Sequence, residues 1–477
     1  MTTFVAFMVF AYLLNIILIV VLVCFERRDP VVSLAWVLGF TLLPIIGAVI
    51  FLVFGQGIKR KTANLYAKKW RMNLDLSEKL TKEQELFDLK KNPEGEFSDT
   101  ILYLLNTNNS VYTDCNSVQF YTDAKDKYAA LLKDIQEAQE TIHLLYFIIR
   151  DDQISNTILK ALCEKARQGV EVRFLYDDFG SLLTSRRIFH ALSEAGGKVC
   201  AFFPLKFGSY SKINHRNHRK IVVIDGKIGY LGGMNIGDEY MGMGKLSTWR
   251  DTHMRIIGPA VKYLQKSFAL DWAFSANEDL STDIKKFFSP IQQTDQNVAM
   301  QIVASGPDST DEEIKCGMIK IMNNANYYLY IQTPYFVPDK AFLNSLVMAA
   351  KSGVDVRVMI PGVPDKNYVY YTTMSYVGEL LSAGIRVFTY PGFLHSKTIV
   401  SDDRICTVGT TNIDIRSFQL HFEINAFMYN VEKSVECRRT FLKDQEVCSE
   451  ITLEFYQKRG IWQQMKEGFF RLFSQIM

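Results

Sequence analysis

Two long apolar runs open the chain. Residues 3–24 carry no charged side chain and neither do residues 31–54; the polar stretch Glu26-Arg27-Arg28-Asp29-Pro30 separates them. Each run is long enough to cross a hydrocarbon core of about 30 Å as a helix. No basic residue precedes the first apolar core and no small-x-small site closes it, which argues against a cleaved signal peptide. The pattern predicts a transmembrane helical hairpin over 1–57, followed by a basic juxtamembrane segment and linker with some helix over 58–117.

From about 118 the apolar spacing changes to an α/β rhythm. Helical periodicity over 124–140, 157–167 and 186–194 alternates with β-branched and aromatic runs at 142–149, 170–176 and 199–203, and glycines close the helices. Strands at 221–224 and 228–231 follow. The rhythm then restarts, with helices at 312–323, 340–351 and 368–382 and strands at 327–331, 354–360, 385–390, 398–400 and 405–408. Local matches support duplication. Ala166-Arg167-Gln168-Gly169-Val170-Glu171-Val172-Arg173 parallels Ala350-Lys351-Ser352-Gly353-Val354-Asp355-Val356-Arg357, and Tyr146-Phe147 parallels Tyr335-Phe336. The expected fold is α/β: two halves, 118–290 and 291–477, related by a pseudo-twofold axis.

Charge adds orientation. The connection between the apolar runs holds Arg27 and Arg28, whereas the segment after them holds Lys59, Arg60, Lys61, Lys68, Lys69 and Arg71. The richer flank stays in the cytoplasm, so the large region is expected there. The same basic stretch also suits an anionic bilayer surface; a topology signal and a lipid contact remain equal readings. Net charge is only +3, so bulk electrostatics name no partner. The eight cysteines lie far apart with no C-x-x-C pair, which argues against a zinc ribbon or a dense disulfide framework.

One motif occurs twice, 177 residues apart: His218, Lys220, Asp225, Gly232 and Asn235, then His395, Lys397, Asp402, Gly409 and Asn412, with identical spacing. Read on a strand, residues two apart share a face, which would put His and Lys of each copy together. Histidine serves as nucleophile or general acid near neutral pH, lysine is a point charge for phosphate oxygens, and asparagine is a neutral donor. A phosphodiester carries a single negative charge, so two lysines and two asparagines can hold it without a metal. One histidine would attack phosphorus, and the other would protonate the leaving alcohol and deprotonate the incoming one.

Asp225 and Asp402 complete the motifs and stand in the candidate catalytic set with the histidines and lysines. Their offset of seven from the histidines, however, turns them away on a continuous strand and predicts that they brace a turn. Carboxylates that orient the histidines must then come from elsewhere. Asp251, in Trp249-Arg250-Asp251, and Glu423, in His421-Phe422-Glu423, are the candidates. His143, His190, His215, His253 and His421 are read as core or surface residues. His215-x-x-His218 lacks a third ligand at zinc spacing, and neither Walker-type nor dinucleotide glycine motifs are present.

The paired motifs resemble the phospholipase D superfamily. Tyr146-Phe147-Ile148-Ile149-Arg150-Asp151-Asp152, Gly232-Gly233-Met234-Asn235-Ile236-Gly237-Asp238-Glu239-Tyr240, Thr333-Pro334-Tyr335-Phe336-Val337-Pro338-Asp339 and Asn412-Ile413-Asp414-Ile415-Arg416-Ser417-Phe418, after an apolar hairpin, look like its bacterial cardiolipin synthases. Gly233 and Thr410 stand where the superfamily often has serine. The resemblance implies two phospholipase D-like α/β/α halves and a phosphohistidine intermediate. It also implies phosphatidyl transfer between two phosphatidylglycerol molecules, giving cardiolipin and glycerol, with no metal, nucleotide or organic cofactor. Superfamily precedent makes His218 the nucleophile and His395 the acid/base; the residues themselves treat the two alike.

A bilayer is therefore an expected partner. The segment 460–477 mixes Ile461, Trp462, Met465, Phe469, Phe470, Leu472 and Phe473 with Lys466 and Arg471, as in an interfacial helix or a helix packed on the catalytic region. A hydrolase, or a phosphatidyltransferase using another alcohol, would carry the same motifs. A nuclease of the superfamily is disfavoured by the hairpin and by the lack of a broad basic stripe, so no nucleic acid is expected. Intact motifs in both copies disfavour an inactive scaffold.

Overall fold

The computed structural model describes residues 2–25, 30–51, 95–205, 214–244, 248–288, 294–309 and 311–474, together with Lys69, Met72, Asp75, Leu76 and Leu246. Arg27, Arg28 and the basic stretch 59–71, Lys69 excepted, lie outside the described residues.

The sheet repeats itself about its middle. From the junction outward, the first half runs Thr113–Tyr121, His253–Ile257, Ile228–Gly232, Ile221–Ile224, Thr141–Tyr146, Glu171–Asp177, Lys198–Phe202. The second runs Val298–Ser305, Glu423–Met428, Ile405–Gly409, Thr398–Ser401, Tyr328–Gln332, Asp355–Pro361, Arg386–Tyr390, with Ser449–Ile451 as an added edge. In both halves the inner four pairings are antiparallel and the next two parallel. Thr113–Tyr121 joins Val298–Ser305 through Thr113↔Met300 and Asn116↔Val298, so the halves share one sheet.

Helices cover both faces, as parallel strands buried on two sides require. Ala124–Glu137 and Gln153–Arg167 pack outside the first half, with Ile135, Ile158, Leu162, Phe174 and Val222 in one core. Glu313–Asn324 and Lys340–Lys351 do the same for the second, with Ile314, Ile321, Leu346 and Val358. The other face holds Val261–Ala276 and Val431–Gln445; there Leu264, Phe268, Met300, Ile424 and Phe441 belong to one core that runs through both halves. The helix Ser98–Asn108 lies within the stretch expected as linker, and it packs Ile101 and Leu104 into the second-half core.

The first apolar run is helical over Thr2–Val20 and continues through Val21–Phe25; the second forms Pro30–Leu42 and Pro44–Ile50. Pro44 has no N–H to give the carbonyl of Phe40, so the helix breaks there. Asn15 Nδ2 donates to that carbonyl (3.1 Å) and to the carbonyl of Pro44 (2.9 Å), which ties the two runs together. In hydrocarbon an unsatisfied carbonyl would be costly. Met8–Phe25 is long and apolar enough to cross a membrane.

The register corrects one repeat match. Ile149 pairs with Ile236, one residue after Asn235, and Phe336 pairs with Ile413, one residue after Asn412. Phe336 is thus the counterpart of Ile149, and Tyr335-Phe336 matches Ile148-Ile149 rather than Tyr146-Phe147.

Candidate active site

Each motif is an extended lead into a short strand. Strands begin at Ile221 and Thr398, one residue beyond Lys220 and Lys397, so His and Lys lie just outside the ladder rather than on it. Backbone from the opposite half holds them. His218 N–H donates to the carbonyl of Phe422 (2.9 Å), and Phe422 N–H donates to that of Arg216 (2.8 Å). His395 N–H donates to the carbonyl of Arg250 (2.6 Å), beside the parallel pairing of Phe393–Leu394 with Trp249–Arg250.

The carboxylates cross over as well. Glu423, of the second half, lies 2.9 Å from His218 Nδ1, and Asp251, of the first half, lies 2.6 Å from His395 Nδ1. Both acids are fully buried. Fixing Nδ1 sets the tautomer and leaves Nε2 for the reacting group.

The two acids are supported differently, which explains the variation after each motif glycine. Thr410 Oγ1 donates to Glu423 Oε2 (2.5 Å). At the equivalent Gly233 a Cβ would stand 2.1 Å from Asp251 Oδ1. The shorter Asp251 needs the empty space at Gly233; the longer Glu423 leaves room for a hydroxyl that braces it.

Burial and mutual charge set the protonation pattern. Burial, then Lys220, His421, Lys397 and His395, hold His218 well below the ordinary histidine value. Burial and Lys397 bring His395 to about 4, with Asp251 opposing the fall. Burial lowers Lys220 to about 7 and Lys397 to about 8, and raises Glu423 to about 8. Each lysine lowers the proton affinity of both histidines, so the four basic groups occupy one site. Lys220 Nζ donates to the His218 carbonyl (2.6 Å) and Lys397 Nζ to that of His395 (2.5 Å). An arriving anion would stabilise their charged forms.

The asparagines differ. Asn235 Oδ1 accepts from Ile148 N–H (3.0 Å) and its Nδ2 donates to Tyr240 Oη (2.5 Å), while buried Asn412 leaves Oδ1 without a partner. Asp225 and Asp402 do not join the site, which corrects their place in the catalytic set. Asp225 accepts backbone N–H groups of Gln139, Glu140 and Thr141 at 2.8–2.9 Å, and Asp402 those of Asn326, Tyr327 and Tyr328 at 2.7–3.0 Å. Both sit in left-handed turns, with φ of 52° and 54°, at the far end of a four-residue strand.

Two further residues line the site: His421, read from sequence as a core or surface histidine, and Trp249. His421 lies 5.8 Å from His218 between ring centroids, and Trp249 lies 5.4 Å from His395. The sequence signal is their shared position two before the carboxylate. His218, His421 and Glu423 each bring one donor atom within 4.8 Å of the others. Spacing along the chain excluded such a grouping, yet the fold assembles it. His215 is buried nearby with Nδ1 unpartnered, and Lys69 is buried on Asp271 (2.6 Å) and Asp308 (3.0 Å) rather than facing a bilayer.

The family model described as "Cardiolipin synthase, PLD-like domain" matches residues 131–272 and 318–445, one match per half, and "Phospholipase_D-nuclease N-terminal" matches 13–56. The major cardiolipin synthase of Bacillus subtilis (strain 168) is 43% identical over 474 residues, covering 98% of both chains. A cardiolipin synthase of Staphylococcus aureus (strain N315) is 42% identical over 473 residues, covering 98% of this chain and 96% of the relative. In fold, the chain is similar to the crystal structure of phosphatidylserine synthase from Haemophilus influenzae Rd KW20, with a TM-score of 0.59 at 14% identity, over 80% of this chain and 100% of that one. With two phospholipase D-like halves closing on one paired-histidine site, this chain belongs to the cardiolipin synthase family of phospholipase D-like proteins.

Proposed function

We propose that this chain is a membrane-anchored cardiolipin synthase that transfers a phosphatidyl group from one phosphatidylglycerol to another. The observation that carries the reading is the crossed pairing of His218 with Glu423 and His395 with Asp251. It makes two oriented imidazoles face one substrate across the pseudo-twofold axis.

His218 Nε2 attacks the donor phosphorus. The bond from phosphorus to the glycerol oxygen breaks, and that oxygen takes a proton from His395 Nε2. The headgroup hydroxyl of a second phosphatidylglycerol then gives its proton to His395 and attacks phosphorus. The P–N bond breaks, cardiolipin leaves, and His218 is again neutral. Assignment of His218 as nucleophile follows the superfamily resemblance; Asp251, 2.6 Å from His395 Nδ1, favours a proton on His395 as its acid/base. Lys220 and Lys397 supply the positive charge that holds the non-bridging oxygens. A diester monoanion needs no metal in this scheme.

The N-terminal hairpin spans the bilayer twice and the catalytic halves lie on the cytoplasmic side, a reading supported by the apolar runs and the lysine and arginine excess after them. The test is lipid mass spectrometry after incubating the purified, reconstituted protein with phosphatidylglycerol alone. Cardiolipin with free glycerol supports the synthase; phosphatidic acid alone would make water the acceptor and the protein a hydrolase.

A further inference from the structure

The helix Ile461–Arg471 is docked inside out. The side turned to the protein is polar: buried Glu467 accepts from Arg459 Nη1 (2.8 Å) and Gln463 Nε2 (2.9 Å). Arg471 donates to the carbonyl of Ser375 (3.0 Å), pairs with Glu379 and lies over the Tyr376 ring. Phe470 stacks on Tyr371 there, at 5.7 Å. The opposite side shows Ile461, Trp462, Met465, Phe469 and Leu472 at 56–77% exposure. Spacings of three and four place these on one stripe, and Phe455 adds a further 65%-exposed ring on the preceding turn.

In water a helix turns its apolar stripe inward, and the reverse arrangement indicates an apolar medium outside. The stripe is rich in the aromatic and branched residues that favour the lipid interface; exposed Lys466 reaches from the helix over the Tyr371 ring (5.4 Å), at the boundary between stripe and protein. We propose that this helix is a second membrane contact, lying in the headgroup region of an anionic bilayer with Trp462, Phe469 and Leu472 inserted. The proposal rests on the reading of this chain as a phospholipid enzyme.

Its placement gives the contact a purpose. The helix packs on Asn367–Ser382, and Tyr371 beneath Phe470 is one turn from Tyr368. Tyr368 lies near enough to Arg416, in the segment after the second motif, to act on its charge. Seating the helix in the interface therefore brings the rim of the second half to the headgroups. Phosphatidylglycerol can then reach His218 and His395 without leaving the bilayer.

The test uses the full chain in phosphatidylglycerol bilayers. The difference in tryptophan emission between parent and Trp462→Tyr isolates Trp462 from the other indoles. We expect a component quenched by lipids brominated on the acyl chain and shielded from aqueous iodide. A component open to iodide overturns the proposal, and so does one reached by neither quencher, which would mean cover by a second copy. The triple variant Trp462→Gln, Phe469→Gln, Leu472→Gln should raise the apparent KM for bilayer phosphatidylglycerol severalfold. Turnover of monomeric short-chain phosphatidylglycerol should fall less; equal losses would mean a merely structural role. If even the parent makes no cardiolipin, the proposed function fails while the quenching result stands.

Discussion

Asp251 Oδ2 lies 2.6 Å from His395 Nδ1, and 144 residues and the whole interface between the halves separate them in sequence. With Glu423 on His218 as its mirror image, neither half contains a complete histidine–carboxylate pair. Duplication alone would keep each pair within one half; the exchange makes the site a property of the joined halves.

Asp251→Asn and Glu423→Gln keep the size of the side chain but turn one acceptor oxygen into a donor and remove the acid. Each should lower kcat by on the order of 10²–10⁴-fold, the usual weight of a positioned acid or base, with KM for phosphatidylglycerol changed far less. Steady-state kinetics on folded variants check this, and a loss confined to KM would make both acids binding residues.

Gly233→Ala should cost more activity than Thr410→Ala. The added Cβ would meet Asp251 Oδ1 and push it from His395, whereas the threonine change removes one hydrogen bond to Glu423. Comparing kcat for the two is sufficient, and equal effects would contradict the matched-pair account.

Asp225→Ala and Asp402→Ala each strip three backbone N–H groups of their acceptor and put alanine at positive φ. Loss of about 1–3 kcal/mol of stability is expected, seen as a lower melting temperature, while kcat per folded molecule stays close to that of the parent. Asparagine, which tolerates the left-handed region, should be milder.

The sequence carried the repeat and much of the helix and strand pattern. The helix predicted at 340–351 is observed as Lys340–Lys351, and the motif's lack of a carboxylate facing its histidine points to Asp251 and Glu423. The crossing was hidden because spacing does not say which half supplies a partner. Val261–Ala276 escaped because it is buried on every side and holds Lys262, Gln265, Lys266 and Asp271 within that burial, leaving no amphipathic stripe. Thr113–Tyr121 is mostly polar by sequence; its place at the junction of the halves makes it a strand. His421 looked ordinary because its meaning depends on the equivalence with Trp249.

Lysine titration should shape the pH profile. Burial depresses Lys220 to about 7 and Lys397 to about 8, so both are cationic below those values and lose charge as pH rises through them. The kcat/KM for anionic phosphatidylglycerol should fall across that range, and bound substrate should shift the fall upward in the kcat profile. A flat kcat/KM from pH 6 to 9 would contradict lysine-held phosphate.

In the proposed reaction one phosphatidyl group is passed through His218, in a site completed by both halves. The direct measurement is peptide mass spectrometry after alkaline quench of the enzyme turning over phosphatidylglycerol, since a phosphoramidate survives base. A phosphatidyl adduct, or the glycerophosphoryl adduct left once base removes its acyl chains, is expected on the peptide carrying His218 and absent from His218→Ala. An adduct on the His395 peptide, or cardiolipin made by His218→Ala at the parent rate, would contradict it.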